Sequence, residues 1–207
     1  DRDSYEFERF AKFLREMKNF HFKGSRFLTQ NDLVGELFTA GGIINPEQAT
    51  TVGTLRMDSF LRAISEEPKE LKIRNRLVFF PVTVGGITLE ADTYPTFCKT
   101  LEIFANVARK RPDIEVIIKP KGPERWFRPW KKDADQAFAQ AGIEPDKIKN
   151  LIISWDLDPH ELILSADVVS GINTTTILEA GVAGRAVVVP YFDKLRDPKY
   201  DDRIYLR

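Results

Sequence analysis

Cysteine, histidine and net charge are what this 207-residue sequence has least of. One cysteine, Cys98, cannot form an internal disulfide, and two histidines, His21 and His160, build no Cys/His set with zinc spacing. Disulfide scaffolds and zinc modules are therefore excluded, and a reducing cytoplasm is the expected compartment. Lys and Arg number 31 and so do Asp and Glu, for a formal net charge of zero. That balance withholds the broad basic field that draws proteins to phosphate backbones, so no nucleic acid partner is expected. No apolar run approaches the roughly 18–20 residues of a membrane-spanning helix, and no charged segment leads into an apolar one in the manner of a secretion signal. Neither G-x-x-x-x-G-K-[ST] nor G-x-G-x-x-G occurs, which disfavours a P-loop NTPase and conventional dinucleotide binding. No Ser/His/Asp or Cys/His nucleophilic set can be assembled either.

What is present reads as a packed α/β protein, and 43% hydrophobic residues suffice for a core. At about 100–200 residues per domain, the length holds one domain plus an appendage. The chain begins at Asp1 and stops at Leu206-Arg207 soon after a strand-like run, so it is expected to be a piece of a longer protein. Residues 3–19 space Phe7, Phe10, Ala11, Phe13, Leu14 and Met17 at three and four, with Arg9, Lys12, Arg15 and Lys18 between them. That is an amphipathic helix, open to two readings: it packs on a neighbouring domain, or it lies on an anionic membrane surface as a peripheral contact. A strand at 26–29, a helix at 31–39 stopped by Gly41-Gly42, and a β-like run at 49–53 look like the last βαβ of a preceding domain. A short helix at 59–64 and the polar break Glu66-Glu67-Pro68-Lys69-Glu70 follow. The expected division is 1–57, the tail of a preceding domain and its crossover, and 58–207, a nucleotide-binding domain.

From residue 72 onward, apolar runs at 77–82, 114–118, 151–154, 168–170 and 186–189 alternate with helical periods at 94–110, 133–141, 159–165 and 174–183. Near-continuous apolar strands joined by helices predict a Rossmann-like parallel sheet with flanking helices, preceded by an α-rich segment. Ligands of such sheets bind outside the carboxyl ends of the strands, which selects a short set of residues. After the first run, Thr83, Gly85 and Gly86 form either a plain turn or a loop that brings backbone amides to a ligand. After the second, Lys119-Pro120-Lys121 offers two cations, either solvated or set for phosphate. The fullest feature is Ser170-Gly171-Ile172-Asn173-Thr174-Thr175-Thr176, in which a strand ends in glycine and Asn with three hydroxyls opens a helix. Such a start serves as an ordinary cap or as an anion site, and Glu179, one turn further, can reach a ribose diol.

The stretch 165–190, SADVVSGINTTTILEAGVAGRAVVVP, resembles the donor-binding segment of GT-B glycosyltransferases and their relatives, and Thr51-Val52-Gly53-Thr54-Leu55-Arg56-Met57-Asp58 resembles their crossover into the C-terminal domain. The resemblance covers most of 49–193 and is shared by glycosyltransferases, hydrolysing UDP-N-acetylglucosamine epimerases and CDP-polyol phosphotransferases. It implies the donor half of a nucleotide-sugar-dependent transferase of cell-surface polysaccharide or glycolipid synthesis, with a nucleotide-sugar as substrate and a glycan or lipid-linked acceptor. By the same resemblance Asn173, Thr174, Thr175 and Thr176 would hold the donor diphosphate, Glu179 the ribose, Lys119 or Lys121 the phosphates, and Thr83 to Gly86 the opposite wall. No metal or further cofactor is implied, and the acceptor-activating base would lie in a missing N-terminal half, so this chain alone would bind nucleotide and turn over poorly. A sugar epimerase, a CDP-polyol phosphotransferase and a non-catalytic binding module are the alternatives. The His-Pro pair of the phosphotransferases is Lys119-Pro120 here, and Gly184-Arg185-Ala186 replaces the usual Gly-Lys/Arg-Pro.

Three further features have plain readings. Arg125-Trp126-Phe127-Arg128-Pro129-Trp130-Lys131-Lys132 is a loop that stacks a sugar or base, meets lipid headgroups, or buries its tryptophans against another domain. His160 reads as a surface residue and His21 as structural. Cys98 reads as a small buried hydrophobe.

Overall fold

The computed structural model of the chain describes residues 4–17, 20–66, 75–81, 94–121, 128–172 and 174–190. Two compact units divide it, Asp1–Glu67 and Pro68–Arg207. The break falls within the polar Glu66-to-Glu70 segment, and the short helix that follows residue 57 lies in the first unit.

In the first unit, α1 (Tyr5–Glu16) starts at Ser4, whose hydroxyl accepts the Phe7 N–H at 3.1 Å. Strands β1 (Phe27–Thr29) and β2 (Ala49–Thr51) pair in parallel around α2 (Asp32–Ala40), the expected βαβ. Asn31 caps α2 by accepting from Val34 N–H at 2.9 Å, and Gly42 ends it with φ of +71°, a backbone shape that glycine adopts without strain. Gly41 lets α1 approach, since a Cβ there would lie 2.5 Å from that of Leu14. The apolar residues of α1 divide accordingly. Ala11 is fully buried, while Phe10, Phe13 and Met17 are 51%, 58% and 42% exposed. After a short 3-10 turn, α3 (Asp58–Glu66) closes the unit and buries Phe60.

The second unit is a Rossmann-like α/β domain. Its strands β3 (Arg76–Phe80), β4 (Glu115–Ile118), β5 (Leu151–Ile153), β6 (Val168–Gly171) and β7 (Ala186–Val188) form one parallel sheet in the order β5-β4-β3-β6-β7. Their helices are α4 (Tyr94–Lys110), α5 (Arg128–Gln140), α6 (Pro159–Ser165) and α7 (Thr176–Val182). The chain leaves β3 in one direction and returns across it to β6 and β7, so right-handed crossovers put α4 and α5 on one face and α6 and α7 on the other. The packing agrees, because α4 contacts α5 and α6 contacts α7.

Successive strand residues point to opposite faces, and both faces are apolar. Phe79, Val116 and Ile118 meet Phe97, Leu101 and Phe104 of α4 and Trp130, Ala134 and Phe138 of α5, with Phe79 stacked on Phe104 at 4.6 Å. Val78, Phe80, Ile117 and Val169 face the other way, toward the layer that contributes the buried Leu162, Ile163, Ile177 and Ala180. Each such large side chain contributes about 1.5–3 kcal/mol on burial. The outer strands are only three residues long, and Ile152 and Val188 on them are 37% and 52% exposed.

One polar residue ties the layers together at the opposite end of the sheet from the strand carboxyl ends. Asn150 Nδ2 shares its two hydrogens among the carbonyl oxygens of Ala108, Arg111 and Ile114 at 2.9, 3.0 and 2.6 Å, serving the last turn of α4 and the entry to β4 at once. Asn150→Ala should remove the side-chain donor from the Ala108 and Ile114 carbonyls, while Arg111 keeps the Ile114 N–H, and lower stability by about 1–3 kcal/mol. Chemical denaturation of the two proteins measures it, and an unchanged midpoint would remove Asn150 from this role.

Candidate functional site

A parallel sheet binds ligands where its connections diverge, outside the carboxyl ends of the strands. Here that point lies between β3 and β6, which are neighbours with Phe80 opposite Gly171. The first-strand loop residues Thr83, Gly85 and Gly86, and Asn173 after β6, lie outside the described residues.

Gly171 shapes the described part. A Cβ on it would stand 2.7 Å from Thr174 Cγ2, 3.0 Å from Ile177 Cγ2 and 3.3 Å from the Phe80 carbonyl oxygen. The bare backbone therefore lets the chain fold directly from strand into helix. The helix begins at Thr176, two residues later than its periodicity suggests, with Thr175 at the cap position making no side-chain cap bond. Thr174 Oγ1 accepts the Thr176 N–H at 3.4 Å and lies 3.0 Å from Thr176 Oγ1, so two of the three hydroxyls are drawn together. Thr175 is exposed.

Glu179 is not an exposed carboxylate. Its side chain is 7% exposed and its Oε2 lies 3.4 Å from His160 Nε2, whose side chain is 23% exposed. His160 is therefore no plain surface residue. Pro159 and the cap at Asp158, which accepts from Glu161 N–H at 3.0 Å, start α6 just past β5 and hold the imidazole against α7. The pairing spans 19 residues of sequence between two helices, so no local pattern announces it. The only local signal was an Asp-Pro helix start that places a histidine in the first turn.

The two lysines part company. Lys121 is exposed. Lys119 is buried, and its Nζ donates to the carbonyl oxygens of Pro120 at 2.9 Å and Trp155 at 2.8 Å, fastening the end of β4 to the segment after β5. Burial lowers its pKa below the ordinary 10.5, against the attraction of Asp156 and Asp158, which raises it.

Trp130 corrects the loop reading of its segment. It lies in α5, 4% exposed, and packs edge-on against Phe97 at 5.8 Å and Trp155 at 5.4 Å within its own unit. Helix α5 begins at Arg128, five residues before the expected start, because Trp130 supplies the first apolar contact of its buried face. Trp126 and Phe127 lie outside the described residues. Cys98 is half-buried in α4, where it raises the pKa of the Tyr94 hydroxyl by hydrogen bonding, with burial adding to the shift. His21 Nδ1 donates to the Gly42 carbonyl oxygen at 2.9 Å, a structural contact. Among the described residues no group of three His, Cys, Asp or Glu side chains is placed to hold a metal ion, and no helix is long and apolar enough to cross a membrane.

Comparison with known proteins finds no family model and no curated protein that matches. Among solved structures, the chain is similar to HepE of Anabaena, crystallised in complex with UDP-glucose, with 16% identity and a TM-score of 0.42. The match covers 86% of this chain and 48% of that one, so the present chain spans about half the length of that protein.

Two predictions follow the geometry. Gly171→Ala puts a methyl group against Thr174, Ile177 and the Phe80 carbonyl, and should cost about 1–3 kcal/mol, read as a lowered denaturation midpoint. For Lys119 the folded pKa is depressed, so between that value and the unfolded 10.5 the unfolded chain holds one more proton. Stability relative to Lys119→Met should accordingly rise as pH climbs through that window and stay flat below it. A difference that falls with rising pH would show the opposite shift.

Proposed function

We propose that the second unit is the donor-binding half of a nucleotide-sugar-dependent glycosyltransferase. The observation that carries the reading is the coincidence, at the divergence point of the sheet, of a glycine-ended strand, the Thr174–Thr176 hydroxyls and the Glu179 carboxylate. These are the groups that a ribonucleoside diphosphate asks for. Hydroxyl and backbone N–H donors would meet the diphosphate, exposed Lys121 would add a cation, and Glu179 would accept from the ribose. In transfer, negative charge grows on the departing diphosphate, and donors already in place stabilise it without reorganising. The sugar would pass to a glycan or lipid-linked acceptor in cell-surface polysaccharide or glycolipid assembly. The exposed Phe10, Phe13 and Met17 of α1, set among Arg9, Lys12 and Arg15, support a peripheral membrane contact for that acceptor.

Calorimetric titration of the chain with UDP, CDP, GDP and CMP tests the reading, together with the double variant Thr174→Val/Thr175→Val. One nucleoside diphosphate should bind preferentially, and the double variant should weaken it by about tenfold or more, the loss of one or two hydrogen bonds to a charged group. Binding that ignores the substitution would move the site elsewhere, and binding of none of the four would refute the donor reading.

A further inference from the structure

We infer that His160 positions the Glu179 carboxylate for a ribose diol, so that preference for ribonucleotides over 2′-deoxyribonucleotides is set by a residue of α6. The inference rests on the nucleotide reading of the site. Glu179 is the fourth residue of α7, and its side chain is turned toward α6 while Ile177 and Ala180 of the same helix are buried among the apolar side chains. A carboxylate this buried needs a polar or cationic neighbour to offset its lost hydration. His160 Nε2 at 3.4 Å from Oε2 is such a neighbour.

The two partners differ in how firmly they are held. Glutamate has three side-chain torsions, one more than the imidazole, and so more ways to turn its carboxyl group. The imidazole has two torsions and stands on a segment locked by Pro159, by the Asp158 cap and by the buried Leu162 and Ile163 that follow. The firmer group therefore decides where the softer one points. An imidazole N–H takes one of the about four lone-pair sites of a carboxylate, so the pairing with His160 orients Glu179 without itself excluding a diol. Both helices begin where their preceding strands end, α6 after β5 and α7 after β6, which puts the pair on the ligand-bearing side of the sheet. His160 acts through Glu179 and is a positioning residue.

The test titrates the full chain with UDP, CDP and GDP and with their 2′-deoxy counterparts, in wild type, Glu179→Gln, His160→Phe and His160→Gln. Wild type should favour the ribose form of its nucleotide by about tenfold, the worth of a hydrogen bond to a charged acceptor. His160→Phe keeps the ring volume and loses the N–H, and should bring the preference to within about twofold while affinity for the 2′-deoxy form holds. His160→Gln returns an N–H donor and should restore most of the preference. A merely structural role would lower both affinities together, so a His160→Phe protein that weakens both forms equally, or neither, overturns the inference while leaving the nucleotide reading intact. Wild type that binds nucleotide with no ribose preference does the same. Wild type that binds no nucleotide overturns the reading beneath it, and does so before any substitution is made. Should His160→Phe not fold, the comparison of wild type with His160→Gln and Glu179→Gln still decides. A His160→Gln protein with no preference where Glu179→Gln retains it would contradict the proposed order of action.

Discussion

β3 and β6 lie side by side at the centre of the second unit, and the side of Gly171 where a side chain would stand is already filled by Thr174, Ile177 and the Phe80 carbonyl. A methyl group there would push the start of α7 off the sheet, and the rest of the arrangement would move with it. The Thr174 and Thr176 hydroxyls meet because the chain turns so tightly after that residue. Glu179 faces α6 because α7 starts where it does, and α6 can reach it because its own crossover returns over the sheet to β6. A close packing constraint at one backbone position thus fixes the spacing of four polar side chains from two helices.

Much of the fold was legible because its signals are local. Near-continuous apolar runs announced five parallel strands, and the helices Tyr94–Lys110 and Pro159–Ser165 have the limits that their periodicity gives. The strand at Leu151 and the turn into α7 were read from the same cues to within a residue or two. The misreadings share a physical cause. Trp130 sits in a basic, proline-containing stretch that looks like a solvated loop, and only Phe97 and Trp155, far away in sequence, explain its burial. Lys119 looks like a surface cation beside Lys121, yet its amine is taken up by a carbonyl that belongs to residue 155. His160 meets Glu179 only after two crossovers have been closed. The candidate residues Thr83, Gly85, Gly86 and Asn173 lie outside the described residues, and so the site is legible in the structure only along its β6, α6 and α7 wall.

Buried polarity in the second unit is not spread evenly. Among the described residues its buried polar side chains are Thr96, Thr100, Lys119, Ser170 and Glu179, all at strand carboxyl ends or within about two turns of a helix that begins there. The opposite end of the sheet instead uses a half-buried amide, Asn150, and the partly exposed pair Arg76 and Glu115. Burying a charge or hydroxyl costs free energy unless it is partnered, and a fold places such residues where something other than stability is gained. In a protein with no net charge to spare, that segregation is the electrostatic mark of the ligand-bearing side. It coincides with the side chosen by topology alone.

The three-residue outer strands have a consequence for the life of this chain among other proteins. An exposed strand edge presents backbone N–H and C=O groups that another extended chain can pair with, and long flat apolar edges invite such recruitment. β5 and β7 carry apolar side chains at Ile152 and Val188 that would welcome a visitor. Their shortness is the safeguard, since three residues offer too few hydrogen bonds to hold an incoming strand in one register. Among the described residues the sheet has five strands, and the shortness of its two outer ones is a form of protection written into length alone.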